Sequence, residues 1–190
     1  VSKNKIIDAA IKLFSEQGYY RTNMDDIAKE ANVAKGTLYY HFSGKGELFE
    51  RIVTDGIQML MDKIEEVLRQ NEDPDWQIRT IVSKHIELFL HYGELVHIIS
   101  NEITNGIEPD ILERIVALKN KYIAFVADVL RYGQADGALN EMHCELAAAG
   151  LIGMIQSASL YVIHHHGKGT VEELHETINA FVLPALLKKT

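Results

Sequence analysis

Apolar and polar positions along this chain recur with helical rather than strand periodicity. Ile6, Ile7, Ala10 and Phe14 follow the i, i+3, i+4, i+7 spacing that gives a helix one apolar face. Gly18 predicts the stop, as a left-handed C-cap residue. Thr22 ahead of Asn23-Met24-Asp25 sets a hydroxyl and a carboxylate as a capping box, opening a short helix that turns Ile27, Ala28 and Ala31 inward. Asn32-Val33-Ala34 is long enough only for a turn. A third short helix is predicted from Lys35 to about Phe42, and Gly44 separates it from an amphipathic stretch running from Lys45 to about Arg69. At 1.5 Å per residue that stretch reaches roughly 37 Å, the length of a spacer.

After the polar connection Asn71-Glu72-Asp73-Pro74-Asp75, helical spacing resumes in Ile78, Ile81, Val82, His85, Ile86, Phe89 and Leu90. It breaks near Gly93, resumes from Leu95 to Ile103, and breaks again at Gly106 and Pro109. A long helix is predicted from about Pro109 to Tyr132, ending in a polar turn around Gly137. Two more follow, roughly Glu141–His165 and Thr170–Leu187, with Gly167-Lys168-Gly169 between them. Neither convincing strand alternation nor self-similarity at a period of about 20–50 residues is present, so the fold class is all-α and not a helical repeat.

With 190 residues, 47% hydrophobic and 24% charged, the chain has the composition of a globular protein with a real core. Cys144 is its one cysteine, which excludes an internal disulfide framework and a multi-cysteine zinc site and fits a reducing, cytoplasmic compartment. No apolar run is expected to reach the roughly 18–20 residues of a membrane span. The start, Val1-Ser2-Lys3-Asn4-Lys5, has no signal-peptide apolar core, so neither membrane nor export is expected. The net charge of −8 would repel nucleic acid, but it is unevenly spread. Residues 1–46 carry seven basic against five acidic side chains, a balance of +2, which leaves −10 to residues 47–190.

Three short helices, the second and third joined by a tight turn, make a helix-turn-helix unit whose last helix enters the DNA major groove. The run Thr22-x-x-Asp25-x-Ile27-Ala28-x-x-Ala31-x-Val33-Ala34-Lys35-Gly36-Thr37-Leu38-Tyr39-Tyr40-His41-Phe42, followed by Lys45 and Glu47-Leu48-Phe49, carries the signal. From about Ile6 to Phe49 it resembles the DNA-binding head of the tetracycline-repressor (TetR) family of bacterial regulators. The residue chemistry agrees. Gly36 lets the backbone approach phosphates, and Thr37 and Tyr39 can reach base edges, the Thr methyl suiting a thymine methyl. Lys35 and Lys45 sit near helix starts, where phosphate is favoured, and Tyr40 and His41 can donate to backbone oxygens. Leu38 and Phe42 belong to the buried face, whereas adjacent Tyr39 and Tyr40 cannot both face one core. The resemblance makes Thr22, Lys35, Gly36, Thr37, Tyr39, Tyr40, His41 and Lys45 the expected DNA-contacting set. Two positions depart from the family pattern. Ala34 stands where Ser is usual, removing an N-cap worth about 1 kcal/mol. Gly46 stands for an acidic residue, weakening the first turn of the long helix by up to about 1 kcal/mol.

The same resemblance implies a helix-turn-helix DNA-binding domain over 1–46 and a helical effector-binding and dimerisation domain over 47–190. Its implied partners are a pseudo-palindromic double-stranded operator, a second copy of the chain, and a small apolar effector, either an acyl compound or a lipophilic drug-like molecule. His85, Phe89, Tyr92, Ile103, Tyr122, Phe125, Gln156 and Tyr161 are candidate pocket residues, mostly apolar walls with a few polar anchors. The expected function is a ligand-responsive regulator, a repressor released from its operator, with the long helix from Lys45 carrying the signal; activation stays open, because the sequence does not reveal which tilt of that helix a ligand prefers. Dimerisation is expected through the last two helices. There Ala147-Ala148-Ala149-Gly150, Gly153, Ser157 and Ala158 permit close approach, and Leu174, Ile178, Phe181 and Val182 give an apolar face. Neither a cofactor nor catalytic chemistry is expected, since Gly-x-Ser-x-Gly, Walker, Rossmann and His-Glu-x-x-His patterns are all missing. Two rival readings stay open. One is a metal sensor built on His143, Cys144 and His164-His165-His166, which is disfavoured because adjacent helical histidines point about 100° apart. The other is a helical interaction protein that binds no DNA.

Overall fold

The computed structural model describes residues 2–92, 107–165 and 168–188. The predicted helix from Leu95 to Ile103 lies outside these residues, as do Gly93, His97, Ile99, Asn105, Gly106, His166 and Gly167. The described residues form α1 (Ser2–Arg21), α2 (Met24–Glu30), α3 (Lys35–His41), α4 (Lys45–Gln70), α5 (Pro74–His91), α6 (Pro109–Ala135), α7 (Cys144–His164) and α8 (Val171–Leu186). Among them the one β-type pairing is an isolated antiparallel bridge between Leu139 and Leu187, so the fold is all-helical as its periodicity requires.

Local chemistry explains the helix ends, with two corrections. Gly18 does not simply end α1. Its φ of 82° and ψ of 163° kink the helix, a backbone region open essentially to glycine alone, and a last turn follows through Arg21. The cap of α2 is Asn23, not Thr22: the Asn23 side chain accepts from the Asp26 N–H. Thr22 is buried, and its hydroxyl must find partners in the interior. It donates to the carbonyls of Leu13 at 3.2 Å and Gly18 at 2.9 Å, acceptors freed at the end of a kinked helix. At the far end of the chain Thr170 and Glu173 close a reciprocal capping box on α8.

Packing divides the chain into two compact units. Described residues within 1–57 and 92–118 form one; those within 58–91 and 119–190 form the other, so α4 and α6 each contribute to both. The first unit is centred on Ile6, Ala10, Phe14, Tyr19, Ile27, Leu38, Phe49 and Ile115, with Ile57 and Tyr92 against it. Phe14, Tyr19 and Phe49 bring their ring centroids within 5.1–5.6 Å of one another. Gly46 is buried here, and a Cβ on it would collide with the Glu108 carboxylate and the Ile111 side chain. Its residue type therefore serves close packing, a reason hidden from helix propensity.

In the second unit α5 packs on α7 and α8, and α7 packs on α8. The turn after α6 is stitched to the end of α8. Asn140 donates from its backbone to the Leu186 carbonyl at 2.8 Å and from its side chain to those of Ala185 and Leu187. α7 corrects the expectation about apolar runs. Leu146–Ile163 contains no ionisable side chain except Tyr161, and α7 is long and apolar enough, by length and composition, to cross a membrane. In this fold it buries Ala148, Leu151, Ile155 and Ser159, while Leu146, Met154 and Tyr161 stay exposed.

Candidate nucleic-acid interface

α3 is short, and its two faces differ sharply. Leu38 and the following Phe42 are buried, fixing the helix on the core it shares with α1 and α2. Lys35, Gly36, Tyr39 and Tyr40 are exposed, Tyr39 by 45% and Tyr40 by 85%, with Thr37 and His41 half-buried beside them. Ala34 is an N-cap in extended conformation without a side-chain hydrogen bond, as its missing hydroxyl dictates. The His41 Nε2 lies 3.0 Å from Ser2 Oγ, tying the end of α3 to the start of α1, and its ring meets Tyr40 edge-on.

Lys35 places its Nζ 2.8 Å from an Asp25 oxygen, and that carboxylate raises the lysine pKa. Both side chains are well exposed, so the pair contributes little to stability and leaves the ammonium open to exchange partners. Lys12 is likewise paired with Glu30 at 2.6 Å. Thr22 and Lys45 are placed differently. The Thr22 hydroxyl is spent on carbonyls, and Lys45 donates to the backbone oxygens of Tyr19 and Thr22. One bracing residue escaped the sequence reading. Glu47 accepts from the Ser43 backbone N–H at 2.7 Å and its hydroxyl at 2.6 Å, which lowers its carboxyl pKa and ties the turn after α3 to the first turn of α4.

The candidate effector residues are more scattered. His85 and Tyr122 meet in the interior of the second unit, and Phe125 stacks on Tyr122 with centroids 6.4 Å apart. The His85 Nδ1 lies 2.9 Å from the Ile81 carbonyl, which can only accept, so Nδ1 carries the proton and Tyr122 donates to Nε2. Burial pulls the His85 pKa down to about 4 and raises that of Tyr122. Phe89 is buried in α5, and Gln156 is half-buried in α7. Tyr92 belongs to the first unit, and Ile103 lies outside the described residues. Tyr161 is exposed and stacks on His165, with centroids 4.4 Å apart. Ser159, absent from the sequence-based set, is fully buried with no hydrogen-bond partner for its hydroxyl among the described residues. Among these residues no group of three or more His, Cys, Asp or Glu side chains is placed to hold a metal ion.

Residues 6–52 match the family described as "Bacterial regulatory proteins, tetR family", and residues 71–186 match the "Tetracyclin repressor-like, C-terminal domain". The chain is 31% identical over 117 residues to the biofilm operon icaADBC HTH-type negative transcriptional regulator IcaR of Staphylococcus epidermidis. That match covers 56% of this chain and 61% of the relative, so the chain spans about three fifths of that relative's length. Among solved structures, the fatty acid degradation regulator FadR of Bacillus halodurans superposes with a TM-score of 0.83 at 21% identity, over 95% of this chain and 94% of that one. The Bacillus subtilis regulator FadR in complex with stearoyl-CoA gives 0.81 at 22% identity, over 94% and 96%. Two matched segments that together take in both ends of α3 and most of the body leave one assignment: the chain belongs to the TetR family of bacterial regulatory proteins, DNA-binding transcriptional regulators and not enzymes.

Proposed function

We propose that this regulator is a cytoplasmic homodimeric repressor, held on a pseudo-palindromic operator by two copies of α3 and released by a small, largely apolar effector. The observation that carries the reading is the division of α3 into a buried Leu38 face and an exposed face of Lys35, Gly36, Tyr39 and Tyr40. With Thr37 and His41 at its margin, that surface offers donors for phosphates and groups for base edges. Residues 1–46 supply it, and residues 47–190 supply effector binding and dimerisation. Thr22 and Lys45 brace it from within.

An apolar effector is supported by the interior of the second unit. Its buried polar side chains among the described residues are uncharged: Ser159, and a His85 that burial keeps neutral. A buried hydroxyl without a partner costs about 1–3 kcal/mol, which a ligand able to hydrogen bond would recover. Acyl compounds come first as probes, because the Bacillus subtilis relative binds stearoyl-CoA. Dimerisation is supported by exposed apolar side chains on the last two helices, Leu146 and Met154 on α7 and Phe181 on α8.

The test begins by selecting duplexes from a random pool and following the labelled winner by fluorescence anisotropy. Stearoyl-CoA, free fatty acids and lipophilic cations are then titrated into the complex. Release by one class, with affinity lowered about 5–150-fold, is the expected outcome. Failure to enrich any duplex defeats the repressor reading, and a complex indifferent to all three classes defeats the effector reading.

A further inference from the structure

Asp25 and Lys35 stand 10 residues apart in sequence and form an ion pair across the turn between α2 and α3. In that turn Asn32 takes a φ of 51° and the Val33 N–H returns to the Ala28 carbonyl at 3.0 Å. Ile27, Ala28 and Leu38 are buried on its inner side, which leaves Asp25, in the first turn of α2, and Lys35, in the first turn of α3, both exposed. Asn23 caps α2 through the Asp26 N–H, and the Asp25 carboxylate takes Lys35 instead. The lysine Nζ lies 2.8 Å from one of its oxygens and 2.9 Å from the other.

Lys35 is the one Lys or Arg on α3. Lys45, the other lysine expected at DNA, directs its ammonium to the carbonyls of Tyr19 and Thr22. A phosphate approaching the start of α3 therefore meets a lysine already held by a carboxylate. The two anions offer the same chemistry, negatively charged oxygens that accept from an ammonium, and Nζ cannot serve both without drawing like charges together. In a pair this exposed, water screens the attraction, so the bond to Asp25 is weak enough to exchange. Exchange leaves the carboxylate beside the duplex, and its repulsion offsets part of what the lysine gains.

We propose that Asp25 sets the strength of operator binding: its carboxylate holds Lys35 as a phosphate would, an operator phosphate must displace it, and affinity for every DNA sequence is lowered by that exchange. The proposal rests on the reading of α3 as the DNA-contacting helix.

Asp25→Asn keeps the shape of the side chain and removes its charge. With its fold checked by circular dichroism, the variant is expected to bind the selected operator about three- to tenfold more tightly at about 0.1 M salt. Its slope of log affinity against log salt concentration is expected to be steeper by about 0.9, as for one more phosphate neutralised. Single-base operator variants are expected to gain alike, since a phosphate contact carries no sequence information. Asp25→Ser is expected to behave as Asp25→Asn does. Equal or weaker binding by the folded variants overturns the proposal, as does tighter binding with an unchanged slope or a gain confined to particular base pairs.

A double-mutant cycle reads the displacement itself. Where the pair breaks on binding, Lys35→Met costs the wild type less than it costs Asp25→Asn, because the wild-type lysine gives up its bond to Asp25 when it takes the phosphate. The expected difference is about two- to fivefold in affinity. Equal losses in the two backgrounds would mean that the pair survives in the complex, and they overturn the proposal. A selection that enriches no duplex, or wild-type affinity in Tyr40→Ala, defeats the reading of α3 and the proposal with it, and neither outcome depends on Asp25.

Discussion

Tyr40 and His85 sit at opposite ends of the exposure scale and answer to different measurements. Tyr40 is 85% exposed and meets the His41 ring edge-on, so Tyr40→Ala is expected to change unfolding free energy by no more than about 0.5 kcal/mol. Its operator affinity is expected to fall for every sequence, whereas Thr37→Ala is expected to change base preference, as binding to single-base operator variants would show. Wild-type affinity in Tyr40→Ala would remove the tyrosine from the interface. His85 reports through pH. Its pKa is near 6.5 when unfolded and about 4 in the fold. A folded value below the unfolded one means that its stabilisation is complete above pH 6.5 and is lost as pH falls through that value towards 4. Between pH 7 and pH 5 the wild type is expected to lose about 2 kcal/mol more than His85→Gln, which keeps a polar group but does not titrate. Equal losses in urea titrations of the two proteins would show that His85 is hydrated in solution.

Elements are where the sequence speaks most clearly and where it also misleads. Gly18, Gly44, Pro74, Pro109 and Thr170 each mark a chain direction that a helix either needs or cannot continue, so the helix succession is legible from local chemistry. The outward face of α3 is legible for a similar reason, because Tyr39 and Tyr40 are neighbours and both stand clear of the core. Contacts between distant residues leave no such mark. Nothing local to Lys45 points to the carbonyls of Tyr19 and Thr22, and nothing local to His85 points to Tyr122. Thr22 reads as a cap because burial, which redirects its hydroxyl, is a tertiary property. Gly46 turns this difference into a measurement. Helix propensity alone makes Gly46→Ala stabilising by about 1 kcal/mol. The structure reverses the sign: Glu108 can swing aside, but Ile111 is held in the core, and overpacking there is expected to cost about 1–2 kcal/mol net. A higher urea midpoint for Gly46→Ala would show that the space beside Gly46 is open.

At the scale of the whole molecule, the proposed dimer makes the exposed apolar side chains of α7 and α8 the place where pairing and DNA binding would meet. Leu146 on α7 is 70% exposed and Phe181 on α8 is 65% exposed, on a protomer whose core is already closed beneath them. Gly150, Gly153 and Ser157 are exposed on α7 as well, and such small residues let another helix approach closely. A two-fold pairing through these helices would present two copies of α3, which must lie about 34–36 Å apart to enter successive major grooves. The second head then binds at the effective concentration set by the first, a gain of about 10²–10⁴ over a single head. Under the proposed reading, an effector that shifted the direction of α4, which contributes to both compact units, would change that separation and forfeit the affinity gained from the second head. Phe181→Glu tests the arrangement. On the isolated protomer the substitution replaces an exposed ring and is expected to alter stability by no more than about 0.5 kcal/mol. Within the pairing it would bury an uncompensated charge at a cost of about 3–5 kcal/mol, enough to separate the protomers at micromolar concentration. Sedimentation is expected to show a helical monomer, and anisotropy an operator affinity reduced by about 10²–10⁴. A Phe181→Glu protein that remains a dimer and keeps wild-type affinity would place the interface on another face of the body.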